Sequence, residues 1–108
     1  MFLSSEPRRI LAYREPVDLR KSINGLVGLV QAVLQEDALS GCVYVFFNRR
    51  GNYLKLVAWD RTGYCLFAKR LERGRFQLPS DEPTQTLSEQ AFRLILDGIV
   101  LGKRRAMR

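Results

Sequence analysis

The period of the apolar positions changes twice along the chain, and the changes mark out the elements. Residues 8–13, Arg-Arg-Ile-Leu-Ala-Tyr, predict a short opening strand. Glu15-Pro16 interrupts it, because proline lacks a backbone donor and restricts its neighbour. From Asp18 the spacing turns helical. Leu19, Ile23, Leu26, Val27, Val30 and Leu34 recur at steps of three or four with one step of one, which predicts a helix over 18–37 with one stripe on a core. Gly25 and Gly28 inside it each weaken the helix by about 1 kcal/mol against alanine, and close packing on a sheet is the expected reason.

After Ser40-Gly41 the runs at 42–47, 53–59 and 64–70 are rich in Val, Tyr, Phe and Leu and predict three strands. The loops at 48–52 and 60–63 each contain the glycine that short hairpin connections use for a positive φ, so the strands form an antiparallel meander. With both hairpins centred on those loops, Cys42, Ala58 and Cys65 fall in one row. The two cysteines then sit on outer strands about 10 Å apart, too far for a disulfide. The same register puts Tyr44, Phe46, Leu54, Leu56 and Phe67 on one face, read as core. Tyr53, Lys55, Val57, Trp59, Tyr64, Leu66 and Arg70 occupy the other, either a binding surface or a second buried face. A slip of one residue in either loop exchanges the assignments.

Residues 75–79 supply a candidate edge strand, and 79–85 a polar loop with two prolines. Ser88 has helix-cap chemistry ahead of Phe92, Ile95, Leu96 and Ile99 at helical spacing, which predicts a second helix over 88–100 that ends at Gly102. The expected fold is α+β: a single antiparallel sheet of about four to five strands with two flanking helices, one domain over 1–102, and a basic tail over 103–108.

The 108 residues, 46% of them hydrophobic, suffice for one modest core and not for two domains. The longest apolar stretches fall well short of the ~20 residues that cross a bilayer, so no membrane partner is expected. The opening residues place charge after a short apolar patch, the reverse of a secretory signal; the expected location is the cytoplasm, with reduced cysteines.

Charge narrows the chemistry. Eighteen Lys and Arg face eleven Asp and Glu, a formal +7, and the excess is concentrated. Residues 48–76 hold Arg49, Arg50, Lys55, Arg61, Lys69, Arg70, Arg73 and Arg75 against Asp60 and Glu72, a local +6, and 103–108 add +4; 22–47 and 77–102 are net negative. Basic clusters on loops are a footprint for phosphate contacts, or simply a solvated charged surface. The candidate nucleic-acid contacts are Arg49, Arg50, Lys69, Arg70, Arg73 and Arg75, with Lys103, Arg104 and Arg105 in the tail. Tyr53, Lys55, Trp59 and Tyr64 form a candidate stacking or partner-docking surface; ordinary packing is the competing reading for these aromatics. The longer helix has no cation from 22 to 39, which disfavours a helix-turn-helix reader.

The chain has no histidine, which removes the commonest general base and metal ligand together. Asp18, Asp60 and Glu72 could in principle hold magnesium. Each has a plainer role: Asp18 as a helix cap, Asp60 as a turn acceptor, Glu72 as an ion-pair partner of Arg70, Arg73 or Arg75. No metal, cofactor or catalytic residue is expected.

Four ordered segments carry a resemblance: Val-Asp-Leu-Arg-Lys-Ser-Ile-Asn-Gly-Leu at 17–26, Tyr-Val-Phe-Phe-Asn-Arg-Arg-Gly at 44–51, Leu-Lys-Leu-Val-Ala-Trp-Asp at 54–60, and Gly-Tyr-Cys-Leu-Phe-Ala-Lys-Arg-Leu-Glu-Arg-Gly-Arg-Phe at 63–76. Together the chain resembles the TnpB accessory proteins of the insertion-sequence sixty-six family. The matching positions include Asp18, Arg20, Lys21, Asn24, Gly25, Asp60, Glu72, Gly74 and Phe76. The sequence departs from the family pattern at Ala38-Leu39, where Pro-Phe is usual, and at Ala58, where a large aromatic is common. The resemblance implies a non-catalytic helper of transposition that works beside a separate, larger transposase. DNA is the expected partner, and docking on the transposase or another element-encoded protein is the alternative. The oligomeric state is left open.

Overall fold

Every residue of Val43–Phe47 is buried, so this strand must lie at the centre of a sheet covered on both faces. The computed structural model describes residues 8–99 and runs β1 Ile10–Tyr13, α1 Ile23–Ala32, β2 Val43–Phe47, β3 Tyr53–Asp60, β4 Gly63–Arg70, β5 Thr84–Leu87 and α2 Glu89–Leu96. The five strands form one sheet in the order β4-β3-β2-β1-β5, the α+β architecture expected. All neighbours are antiparallel except β1 and β2, which are parallel; a parallel pair needs a long crossover, and α1 lies within it.

The helices occupy opposite faces. Ile10, Ala12, Val43, Val45, Phe47, Leu54, Leu56, Ala58 and Leu87 pack with Phe92 and Ile95 of α2. Leu11, Tyr44, Phe46 and Val57 pack with Leu26 and Val30 of α1. This corrects the sequence register by one residue. Tyr44 pairs with Val57 and not with Leu56, because Asn48 stays paired with Tyr53 and the hairpin loop holds four residues in place of five. Tyr44 and Phe46 therefore share a face with Lys55 and Val57 under α1, while Leu54 and Leu56 face α2. The β3–β4 register, with Ala58 opposite Cys65, is as the sequence predicts. Cys42 belongs to the α1-side core and Cys65 packs on the α2 side, so the two free thiols are on opposite faces.

Four further expectations change. The edge strand is β5, paired with β1, and residues 75–79 are not a strand. The polar run holds an edge position because Gln85 alternates inward: its amide donates to the carbonyls of Ser80 and Glu82 at 2.9 Å each, and its Oε1 accepts from Ser80 N–H at 3.1 Å. Helix α1 is shorter than its apolar period, closed by Gln35 at φ 54° with Glu36 N–H returned to the Val30 carbonyl at 3.0 Å. Asp18 lies ahead of the helix, where its carboxylate accepts from Arg20 N–H at 3.0 Å. Helix α2 starts as expected, with Ser88 Oγ accepting from Ala91 N–H at 3.0 Å. It ends at Gly98, φ 80°, where Gly98 and Ile99 donate to Ile95 and Leu94. Gly102 and the 103–108 tail lie outside the described residues.

Gly25 and Gly28 do not pack on the sheet. A Cβ at Gly25 would meet Lys21 Cβ at 3.1 Å, whereas one at Gly28 would meet nothing within 4 Å. Gly28→Ala is expected to stabilise the fold by about 1 kcal/mol, and Gly25→Ala to gain less, in denaturant unfolding.

The Tyr44 hydroxyl donates to the Asp37 carbonyl at 3.1 Å and sits 3.1 Å from Ser40 Oγ; burial pushes its pKa up to about 12. The folded state thus holds the phenolic proton more tightly than the unfolded chain. Its contribution is complete below about pH 10 and is lost as pH rises towards 12. Alkaline unfolding curves should show this loss, and Tyr44→Phe should remove that part of the pH dependence.

Candidate nucleic-acid interface

The pairing directions bring one set of connections to a common end of the sheet. Strands β1 and β2 finish there, β3 and β5 begin there, and β4 finishes there. Residues 14–22, 48–52 and 71–83 are therefore neighbours. Val17 N–H donates to the Phe47 carbonyl at 2.9 Å, Leu71 N–H to Asn52 at 2.8 Å and Phe76 N–H to Gly51 at 2.8 Å.

Asn48 builds the loop at the centre of this end. Its Oδ1 accepts from the N–H groups of Asn52 and Tyr53 at 3.1 Å each, and its Nδ2 donates to Asn52 Oδ1 at 2.9 Å. Gly51 closes the turn at φ 76°, a conformation that costs a side-chain-bearing residue energy. Its carbonyl is thereby presented to Phe76. The Phe76 ring is buried with its centroid 6.1 Å from that of Phe47, which anchors the 71–79 segment beside the loop. The Arg75 side chain runs over Gly51, 3.7 Å from where a Cβ would stand. Arg49, Arg50, Arg73 and Arg75 are thus gathered on adjacent loops, with Arg70 at the end of β4.

These five arginines make no ion pair or side-chain hydrogen bond among the described residues. Nor do Glu15, Glu72 and Glu82 at the same end, so the pairing of Glu72 with neighbouring arginines expected from sequence is not formed. Arg14 reaches Asp81 at 3.4 Å, and Arg20 holds Asp18 with Nη2 at 2.7 Å and Nε at 3.0 Å. That grip keeps the Asp18 carboxyl well below the usual carboxylate range, with the Arg20 N–H bond adding to it.

The opposite end of the sheet is differently arranged. Arg8 donates to Asp60 at 2.7 Å and to the carbonyls of Gly41 and Trp59 at 2.8 and 3.0 Å, mostly out of solvent. Arg9 grips Glu36 at 3.0 and 3.2 Å, which lowers the Glu36 pKa. Only Arg61, in the β3–β4 turn at φ 60°, stands unpaired there among the described residues.

Other sequence candidates are dispersed. Lys69 faces α2, where its Nζ donates to the Leu96 carbonyl at 2.8 Å and satisfies the helix end. Tyr53, Lys55, Trp59 and Tyr64 do share one face, yet α1 covers much of it. Trp59 and Tyr64 pack edge-on at 5.1 Å at the far end, while Tyr53 lies beside the arginine loops. Asp18 and Asp60 are separated by the length of β3, roughly 24 Å for its eight residues, so the three carboxylates do not form one site. Among the described residues no group of three acidic or cysteine side chains is placed to hold a metal. Asn24 is exposed on α1 and has no partner among the described residues; nothing local explains it. Sequence reasoning missed Asn48, although an asparagine opening a glycine-containing turn is itself a signal for side-chain closure.

Two clefts flank the Asn48 loop. One, of about 620 Å³, lies towards Arg14, Arg75 and Phe76. The other, of about 760 Å³, is lined by Arg20, Arg49, Arg50, Tyr53 and Lys55.

Fold and site together define a small three-layer domain that gathers at one end of its sheet five arginines with no ion pair among the described residues. The family described as IS66 Orf2 like protein matches residues 8–106, and the chain belongs to that family of transposition accessory proteins. Two proteins of Sinorhizobium fredii are similar. Uncharacterized protein y4jC is 36% identical over 92 residues, 84% of this chain and 79% of that protein, and uncharacterized protein y4hO is 40% identical over 82 residues, 76% and 71%. No solved structure matches. Among the described residues no helix is long and apolar enough to cross a membrane.

Because Phe76 ties the 71–79 segment to the core, Phe76→Ala is expected to cost about 3 kcal/mol in denaturant unfolding. Amide exchange in 71–79 should accelerate, since the backbone bonds from residues 71 and 76 to Asn52 and Gly51 lose the buried ring that steadies them.

Proposed function

We propose that this protein is a non-catalytic accessory factor of insertion-sequence transposition that holds DNA at the arginine end of its sheet. One observation carries the reading. Arg8 and Arg9 are matched to carboxylates, whereas among the described residues Arg49, Arg50, Arg73 and Arg75 stand unmatched on adjacent loops fixed by Asn48 and Phe76, with Arg70 unmatched beside them at the end of β4. Unmatched guanidinium groups keep their donors for phosphate, to which they bind bidentately. Lys69 is assigned to α2 and leaves the proposed set. Lys103, Arg104 and Arg105 add charge that a flexible polyanion can use, and stay in it.

A second reading, an adaptor that docks on the transposase or another element-encoded protein, draws on β4. This eight-residue strand has no neighbour on its outer side among the described residues, and Leu66 on it is 39% exposed.

Joint replacement of Arg49, Arg50, Arg73 and Arg75 by glutamine is expected to flatten the slope of log affinity against log salt on duplex DNA by about 0.9 per lost phosphate contact, roughly 3 to 4 units in all. The loss should be nearly independent of DNA sequence, because phosphate contacts position a protein without reading bases. Deleting residues 103–108 should remove a further part. Binding with an unchanged slope would dismiss these loops as the contact surface, and no binding by the parent at low salt would favour the adaptor.

A further inference from the structure

We infer that the cleft between residues 16–20 and the Asn48 loop receives an unpaired nucleotide of single-stranded DNA, with its base on Tyr53 and its phosphates on Arg49 and Arg50. The inference rests on the reading of this end as the DNA-binding face and names the form of DNA it takes. The cleft, about 760 Å³, is open to solvent and has room for a nucleotide laid along its floor. A duplex keeps its bases stacked inside a convex cylinder, so it can rest on the loop tips but cannot place a base in a concavity without flipping it.

The lining suits a single strand. Sheet aromatics beside cations bind unpaired strands because every base has a face to stack, whatever the sequence. Among Tyr53, Trp59 and Tyr64, only Tyr53 lines this cleft; the other two rings pack on each other at the far end. The Tyr53 backbone is fixed by its N–H bond to Asn48 Oδ1 at 3.1 Å, and its ring packs in part against the α1-side core, which leaves the rest of it to the cleft. Arg20 is neutralised by Asp18, so the open charges are Arg49 and Arg50. Lys55 joins them, since its ammonium gives the Lys21 carbonyl one proton at 3.2 Å and has two left.

Fluorescence anisotropy with a labelled deoxythymidine oligomer and with a duplex of equal length tests this on the full chain. Tyr53→Ala is expected to weaken single-strand binding about 5- to 150-fold, to leave duplex binding within about twofold, and to be rescued by Tyr53→Phe. Equal losses on both DNAs, no loss on either, or binding of duplex alone by the parent overturns the cleft assignment and leaves the DNA-binding reading standing. Absence of binding to both DNAs overturns both. Tighter binding of a uridine oligomer overturns the assignment to DNA. Should Tyr53→Ala fail to fold, photocrosslinking of a bromodeoxyuridine strand to the parent decides: attachment at Tyr53 supports the site, and attachment confined to Trp59 or Tyr64 overturns it.

Discussion

The closure of the β2–β3 loop by Asn48 is the constraint on which the rest of the molecule depends. Its carboxamide binds the backbone of Asn52 and Tyr53 and so sets a loop of four residues. Loop length sets register, and register decides which side chains face which helix. With Tyr44 opposite Val57, the aromatic pair Tyr44 and Phe46 lies under α1, and Val45 and Phe47 lie under α2. The same turn leaves the Gly51 carbonyl free to accept from Phe76, and that bond draws Arg73 and Arg75 alongside Arg49 and Arg50. One side chain therefore acts on both the layering of the core and the grouping of the cations.

The meander, both helices and the Ser88 cap were legible in the sequence because each rests on local periodicity or local chemistry. The sequence pattern misleads where the deciding contact is distant or where a turn can close in two ways. Asn48 belongs equally to a four- or a five-residue loop until its side chain is seen to bind Tyr53, and that single residue exchanged the faces of β2. Strand β5 reads as loop because Thr84 and Thr86 are exposed and polar; only the inward Gln85 and Leu87 reveal it as an edge. The apolar period of α1 runs on to Leu34 although the backbone turns at Gln35, so periodicity overstated the helix.

The cationic site was legible as a count and not as a geometry. Residues 48–76 announce an excess of arginine, yet whether each charge is free depends on partners that the sequence places far away. Arg8 and Asp60 are separated by 52 residues, and Lys69 meets Leu96 across 27. The arrangement of the candidate stacking surface was hidden for a related reason. Tyr53, Lys55, Trp59 and Tyr64 alternate correctly onto one face, but alternation does not reveal that a helix covers that face or that Trp59 and Tyr64 occupy its other end.

The two ends of the sheet differ in what their charges do for the fold. At the Arg8 end, guanidinium groups are spent on carboxylates and backbone carbonyls, and losing one would strand a partly buried Asp60. At the Arg49 end the scaffold is held by an amide network and a buried ring, neither of which needs the arginines it displays. Exposed loop charges contribute little to stability, so this end can change its cations without reshaping the domain. On the proposed reading, a surface built in this way would keep its shape while its charges engage a polyanion. That separation of holding from binding is what a nucleic-acid contact on loops requires, because a loop that depended on its own cations for structure would loosen as phosphate claimed them.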